Sequence, residues 1–269
     1  MYTLLHTIVT IKDETLFIDF SDFPVVINAF EVLEICSFAL QASEWKNIKN
    51  IIIDGSDEIK KYLEEISFLH TLHYVLWIKS TSYTYQSNND PLRGIKVFFN
   101  KNEFYWINQQ ILNVFTQIWL SEETSYLVLS SLWEVIDNSF FHNLWRWQTS
   151  LWPLCMFMAQ NDTEKRKLSF VIDDLWVWLS NTLKDNYPWL KTEAEYIEMA
   201  LKPWVTWRYQ NKWWNWLVYL QKNIFNGFKW ELVIRSNNSL VKVQDFWKIL
   251  ELQSEIAMTG ACIYFSLFY

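Results

Sequence analysis

Alternating and helix-periodic apolar positions divide the first third of the chain into four elements. The predicted elements are a strand at 15–20, a helix at 30–41, a strand at 50–53 and a helix at 57–69. The second strand ends at Asp54-Gly55, a dipeptide typical of a turn. This order of elements predicts a small αβ unit.

The rest of the chain combines longer helices with further strands. The predicted elements are helices at 103–119, 122–142, 193–201 and 217–225, and strands at 167–174, 231–235, 240–243 and 261–267. A polar stretch at 80–89 leads into Asp90-Pro91 and separates the two parts. We therefore predict an α/β protein with two domains, 1–79 and 94–269, joined by a linker at 80–93.

Charge and hydropathy restrict the class of protein. The formal net charge is −7 and the pI is about 5.2, which argues against a nucleic-acid partner because such binding needs clustered Lys and Arg. No apolar run reaches the ~18 residues that span a bilayer, and the first ten residues lack the basic segment of a secretory signal. Cys36, Cys155 and Cys262 lie far apart among apolar neighbours, so buried free thiols are expected. These features predict a soluble cytoplasmic protein with neither nucleic acid nor a membrane as partner.

Tryptophan is abundant and glycine is scarce. The chain has 18 Trp and 4 Gly, whereas average usage predicts about 19 Gly in a chain of this length. Gly is selected for positive φ and close backbone approach, and Trp is the bulkiest side chain, so stereochemistry gives no reason for exchanging them. UGA is read as Trp in some genetic codes and as Gly in others. Translation of the gene with the wrong code is therefore our hypothesis for many of the Trp positions.

Polar residues recur along one face of the predicted helix at 122–142. Glu134, Asn138 and His142 are each four residues apart, so they form one stripe on an otherwise apolar helix. The stripe can belong to a site, or it can be a solvated helix face. For His142, near the end of the helix, an interaction with the helix dipole is the alternative to a ligand contact.

Asp174 ends the strand predicted at 167–174. It continues the face that carries the apolar residues Leu168, Phe170 and Ile172, which places its carboxylate beside the following loop. Ligands of open α/β sheets bind at such strand ends. Asp173 points to the opposite face by the same alternation, and we interpret it as structural.

These two elements, together with the Trp-rich segments at 176–178 and 213–216, resemble the ATP-binding domain shared by histidine kinases, type II topoisomerases, heat-shock chaperone ATPases and anti-sigma-factor serine kinases. The resemblance covers roughly residues 94–268. It implies a Bergerat-type α/β sandwich, in which helices cover one face of a mixed sheet. It also implies ATP and Mg²⁺ as the bound cofactors.

The resemblance assigns roles to individual residues. Glu134 matches the residue that orients or deprotonates the attacking water or hydroxyl, and Asn138 matches the residue that coordinates Mg²⁺. Asp174 matches the acceptor of the adenine amino group, and Trp176 and Trp178 fall on the two glycines that follow it.

Further motif positions lie toward the C-terminus. The segment Trp214-Asn215-Trp216-Leu217 falls on a Gly-x-Gly-Leu that opens a helix and holds phosphates with backbone N–H groups. Trp204 and Trp230 also fall on usual glycines, and Gly260-Ala261 lies where Gly-Thr is common, so Thr259 is the neighbouring candidate for a contact to the base. Lys212 and Arg208 either contact phosphate or are surface charges.

The implied function is phosphoryl transfer to a protein Ser or Thr, or ATP hydrolysis that drives a regulatory switch, with a regulatory protein as partner. The alternative is an interaction module that has lost nucleotide binding, which genuine Trp at the motif positions would favour. The N-terminal part resembles, in the order of its elements only, the STAS domain of anti-anti-sigma factors. Residues 25–30, at the start of its first long helix, contain no hydroxyl, and Asn28 is expected to cap that helix.

Overall fold

The structure, a computed structural model, contains two sheets and seven helices in the part of the chain that it describes. The described residues are 9–24, 27–43, 48–76, 94–98, 102–118, 120–144, 155–175, 179–202, 205, 229–245 and 248–269. The protein is of the mixed α/β class, as the sequence predicted. The predicted linker at 80–93 and the predicted helix at 217–225 both lie outside these residues. The division into two domains therefore stays a prediction.

The N-terminal part is a three-stranded sheet with helices. Its elements are β1 (Val9–Lys12), β2 (Thr15–Asp19), α1 (Ala29–Ser43), β3 (Asn50–Asp54), α2 (Asp57–Glu65) and α3 (Phe68–Val75). The strands lie in the order β1-β2-β3, with β1 antiparallel and β3 parallel to β2. Asn28 accepts a hydrogen bond from the Glu31 N–H through its side chain, which confirms that it caps α1.

The single helix predicted at 57–69 is in fact two helices. Ser67 has φ of 60°, a left-handed conformation that a right-handed helix cannot continue through. Ser56 caps the first of the two helices by accepting a hydrogen bond from the Ile59 N–H. The apolar periodicity runs across this break because Ile66 and Phe68 are both buried, so the pattern alone gave no sign of it.

The C-terminal part is a five-stranded sheet with four helices among the described residues. Its elements are β4 (Lys96–Phe98), α4 (Asn102–Gln117), α5 (Glu122–Leu144), β5 (Cys155–Asp162), β6 (Lys167–Asp174), α6 (Leu179–Leu183), α7 (Glu193–Ala200), β7 (Lys229–Asp245) and β8 (Lys248–Phe268). The strand order is β4-β5-β6-β8-β7, and every neighbouring pair is antiparallel. The resemblance implied a mixed sheet, and this sheet differs because β5–β6 and β7–β8 are hairpins.

The strands predicted at 231–235 and 240–243 are one continuous strand. The polar sequence between them, residues 236–239, suggested a turn. In the structure it forms irregularities in the pairing of β7 with β8, and Asn237 has φ of 52° there. Polar residues with a positive φ occur at β-bulges as well as at turns. Three short or apolar strands were not predicted from the sequence, namely β1, β4 and β5.

Both faces of the five-stranded sheet are covered. One face packs against α4, α5, α6 and α7, in a core that includes Phe157, Phe170 and Phe265. The opposite face packs against the N-terminal part, in a core that joins residues of α1 to Met156, Val171 and Cys262 of the sheet. The resemblance implied helices on one face of the sheet, and in the structure α1 also covers the second face, where its apolar residues, including Val32, Leu33 and Cys36, are fully buried.

Candidate functional site

Asp174 is the last residue of β6 and is 8% exposed. Its strand partners are Cys155 on β5 and Ala261 on β8, and Ala261 pairs in turn with Ser236 on β7. We call these four residues the candidate-site row. Because side chains alternate along each strand, the row faces the side of the sheet that α4–α7 cover, the side to which Ile172, Ile234 and Ile263 also point.

Gly260 fixes the backbone beside Asp174. It has φ of +80°, and a Cβ at this position would lie 1.6 Å from the carbonyl oxygen of Asp174. Any side chain here would therefore displace β8 from the end of β6. The position at which the resemblance places a glycine thus lies directly against the residue that it assigns to adenine. Thr259 precedes Gly260 in β8, and its side chain lies outside the described residues.

Glu134 lies in α5 and is half-buried, and its neighbours Leu132 and Val135 are buried. The helix covers the same face of the sheet as the candidate-site row. The backbones of Asn138 and His142 belong to the same helix, but their side chains are outside the described residues. The structure therefore supports the helical stripe as a backbone feature only.

The other predicted site positions fall outside the described residues. They are Trp176, Trp178, Arg208, Lys212, Trp214, Asn215, Trp216 and Leu217. Trp230, at another position where the resemblance expects glycine, is described. It lies in β7 and stacks on Phe265 at 6.1 Å between ring centroids, so the strand accommodates an aromatic side chain there.

A buried charged cluster lies on the opposite face of the sheet, one residue away from the candidate-site row. Asp173, Cys262 and Arg235 are strand partners across β6, β8 and β7, and we call them the ion-pair row. The Arg235 guanidinium donates to Asp173 Oδ1 from Nη2 at 3.1 Å and to Glu34 of α1 from Nε. Ser37, one turn further along α1, donates its hydroxyl hydrogen to Asp173.

Burial controls the protonation of this cluster. The pKa of Glu34 is raised to about 7, chiefly by desolvation; the Arg235 charge opposes this shift and the Asp173 charge contributes to it. Desolvation likewise raises the pKa of Asp173, opposed by Arg235 and by the hydrogen bond from Ser37. Glu34 and Asp173 together hold the pKa of Arg235 above its ordinary value in spite of burial. Asp173 therefore points away from Asp174, as the alternation of side chains predicted.

A second buried network lies on the face of the candidate-site row. The Ser236 hydroxyl donates to Glu193 Oε1 at 2.5 Å and accepts from the Leu179 N–H at 2.9 Å. The same Glu193 oxygen accepts from the Ser180 N–H at 3.0 Å. This network joins β7 to α7 and to the start of α6. Sequence patterns did not predict the roles of Arg235, Glu34, Ser236 and Glu193. Their hydrogen-bond partners lie between 13 and 201 residues away along the chain.

The three cysteines are free and buried, as expected from their apolar surroundings. Burial raises the pKa of each thiol well above its usual range, and for Cys155 the Asp174 charge adds to the effect. In the part of the chain that the structure describes, no group of three or more His, Cys, Asp or Glu side chains could hold a metal ion. None of the described helices is long and apolar enough to cross a membrane.

Comparison of the chain with models of protein families, with curated proteins and with solved structures finds no match.

Proposed function

We propose that the protein binds Mg-ATP at the C-terminal end of β6 and is a kinase or ATPase of the histidine kinase-like ATPase family. The observation that carries this proposal is the contact between Gly260 and the Asp174 backbone. Asp174 and Gly260 are motif positions 86 residues apart in the sequence, and their backbones are in direct contact at the end of β6, in the interior of a covered sheet. A buried carboxylate held in this way is suited to accept a hydrogen bond from an adenine amino group.

Glu134 and Asn138 supply the donor set for the metal and the reaction. Carboxylate and amide oxygens are ligands that Mg²⁺ accepts, and Mg²⁺ takes the rest of its shell from water and phosphate. The residues present therefore fit the metal that the proposal needs. Bound Mg²⁺ would neutralise charge on the phosphates, Asn138 would hold it, and Glu134 would orient the attacking hydroxyl or water.

The proposal requires glycine at Trp176, Trp178, Trp214 and Trp216. A backbone that presents N–H groups to phosphate must come close to it, and an indole of ~150–250 Å² would fill that space. We therefore propose that these four positions are UGA codons decoded as Gly in the source organism. Phosphoryl transfer to a Ser or Thr of a regulatory protein, and hydrolysis coupled to a conformational switch, are the two reactions that fit this site.

The codons and the protein mass test the proposal first. UGA at the four positions, with an intact mass below the 32.6 kDa of the written sequence by the Trp-to-Gly difference at each UGA, is the expected result. UGG codons with the full mass would favour the interaction module without nucleotide. The second test is titration of the Gly-containing protein with Mg-ATP, Mg-GTP and Mg²⁺ alone, in which saturable binding that prefers ATP is expected. Equal binding of ATP and GTP would reject the proposed base pocket.

A further inference from the structure

The buried network of Ser236 and Glu193 begins in the candidate-site row. Ser236 belongs to the candidate-site row, two strands from Asp174 in the same register. Adjacent strands lie about 4.8 Å apart, so the two Cα atoms are separated by roughly 10 Å. Both residues face the side of the sheet on which α6 and α7 lie.

The side chains of Ser236 and Glu193 are hydrogen bonded to each other and to two backbone N–H groups. Ser236 is fully buried and Glu193 is 7% exposed. The Ser236 hydroxyl uses its hydrogen for Glu193 and a lone pair for the Leu179 N–H, while Glu193 Oε1 also accepts from the Ser180 N–H. Leu179 and Ser180 begin α6, where backbone N–H groups have no partner within the helix. The two side chains thus satisfy donors at the start of α6 from outside the helix.

The covalent chain connects this network to Asp174. Leu179 follows Asp174 by five residues, and Leu175 directly after Asp174 is 2% exposed. The β6–β8 ladder and Gly260 hold Asp174 on one side, and Ser236 with Glu193 holds Leu179 on the other. Asp174 and the start of α6 are therefore both held by members of the candidate-site row.

We infer that Ser236 and Glu193 are positioning residues for the base end of the nucleotide site, acting through the backbone of Leu179 and Ser180. This inference rests on the proposed function and extends it, because it names what fixes the Asp174 side of the site. A negative charge held at the start of α6 also stabilises the N-terminal end of that helix. Loss of the network should weaken contacts to the base and leave contacts to the phosphates intact.

The test compares four variants of the Gly-containing full-length protein. Ser236→Ala removes the hydroxyl, Ser236→Thr keeps it, and Glu193→Gln keeps an oxygen acceptor but removes the charge. The control is Glu195→Ala on the same helix, which removes the acceptor of the capping box with Thr192 at an exposed position and leaves Ser236 untouched. Thermal unfolding, amide hydrogen exchange at Leu179 and Ser180, and affinity for ATP, ADP and adenosine are measured for each.

Ser236→Ala is expected to speed exchange at Leu179 and to weaken all three ligands by about tenfold, the scale of one lost buried hydrogen bond. Glu193→Gln should show a smaller loss, and Ser236→Thr should bind within about threefold of the parent because its hydroxyl is retained. Glu195→Ala should lower the midpoint of thermal unfolding with no change in affinity.

Three outcomes overturn the inference in distinguishable ways. Faster exchange at Leu179 with unchanged affinity in Ser236→Ala would show that the network stabilises the fold only. A parent protein that binds none of the three ligands would overturn the proposed function and this extension of it together. A loss confined to ATP, with adenosine unaffected, would place the effect at the phosphates and would also contradict the inference.

Discussion

Arg235 and Asp173, the two outer members of the ion-pair row, are joined by a hydrogen bond of 3.1 Å, and both are at most 1% exposed. The pair lies between the five-stranded sheet and α1, where Glu34 completes it. Burying the guanidinium without its carboxylates would lower the free energy of unfolding, and so would burying the carboxylates without the guanidinium. The cluster therefore ties the N-terminal part of the chain to the sheet by charge as well as by apolar packing.

Arg235→Ala should lower the free energy of unfolding by about 3–5 kcal/mol, because it leaves two carboxylates buried without their cation. The measurement is urea denaturation monitored by circular dichroism. Lys242→Ala is the matched control on the same strand. Lys242 pairs with Glu231 at 3.0 Å near the surface, and exposed pairs contribute at most about 1 kcal/mol. Equal effects of the two variants would contradict the importance of the buried cluster.

The stability of the protein should fall as the pH rises from about 4.5 to about 7. Burial raises the pKa of Glu34 from 4.5 to about 7 in the folded state, so the folded protein binds the additional proton in this window. The stabilising effect is complete below the unfolded pKa and is lost as the pH rises through the folded pKa, with a slope of at most about 1.4 kcal/mol per pH unit from this group.

Glu34→Gln should flatten this pH profile, which urea midpoints at half-unit intervals would measure. Glu195→Gln is the control, because hydrogen bonds lower the pKa of Glu195 and place its titration below the window. A profile of Glu34→Gln that is parallel to that of the parent would contradict the assignment of the slope to Glu34.

Gly260→Ala should destabilise the protein by at least about 2–3 kcal/mol, because the new Cβ would lie 1.6 Å from the Asp174 carbonyl oxygen at a positive φ. Gly55→Ala is the comparison. Gly55 also has a positive φ, of 144°, but its Cβ would meet Phe20 Cβ only at 3.2 Å, so backbone strain is common to both variants and the severe overlap is confined to Gly260. Denaturant unfolding of both variants measures the difference, and a Gly260→Ala protein as stable as the parent would contradict the described corner.

Asp174→Asn in the Gly-containing protein should weaken ATP binding by about tenfold or more, since an amide cannot accept as a carboxylate does and can present a donor to the adenine amino group. Asp162→Asn is the control for the loss of one charge. Asp162 lies at the β5–β6 hairpin and pairs with the exposed Lys165. Calorimetric titration of ATP against both variants distinguishes a base contact from a general charge effect, and equal affinities would reject the role of Asp174.

Glu134→Gln in the Gly-containing protein should leave ATP affinity within a few-fold of the parent and lower turnover by ~10² or more, because orientation of the attacking group acts in the transition state. Glu123→Gln, an exposed change in the first turn of the same helix, should alter neither. Phosphate release and nucleotide affinity are measured on the same samples. Unchanged turnover would remove Glu134 from the mechanism.

Periodicity predicted the elements whose two faces differ in polarity. The strand at 167–174 and the helices at 122–142 and 193–201 occur within two residues of the predicted ends. β5 was missed because both of its faces are covered, so residues 155–159 are all buried and show no alternation. The break at Ser67 and the bulge at Asn237 were missed because they depend on single left-handed residues.

The site was predictable where neighbours along the chain define it. Asp174 and Asp173 were assigned to opposite faces by alternation alone. The partners of Asp173 could not be predicted in the same way, since Arg235 and Ser37 meet it only after α1 packs across three strands. Ser236 gave no signal either, because a serine in a polar run is typical of a turn, and its partner Glu193 precedes it by 43 residues.

The adjacency of the two rows has an evolutionary consequence. Point substitutions can alter Asp173 or Asp174 one at a time, so the ionic contact with α1 and the candidate site can each drift under separate selection. Insertion or deletion of one residue in β6 would exchange the two carboxylates between the faces of the sheet and would disable both at once. The same holds for Arg235 and Ser236 in β7. Related proteins that keep both clusters should therefore vary in length within their loops and keep the number of residues in these two strands unchanged.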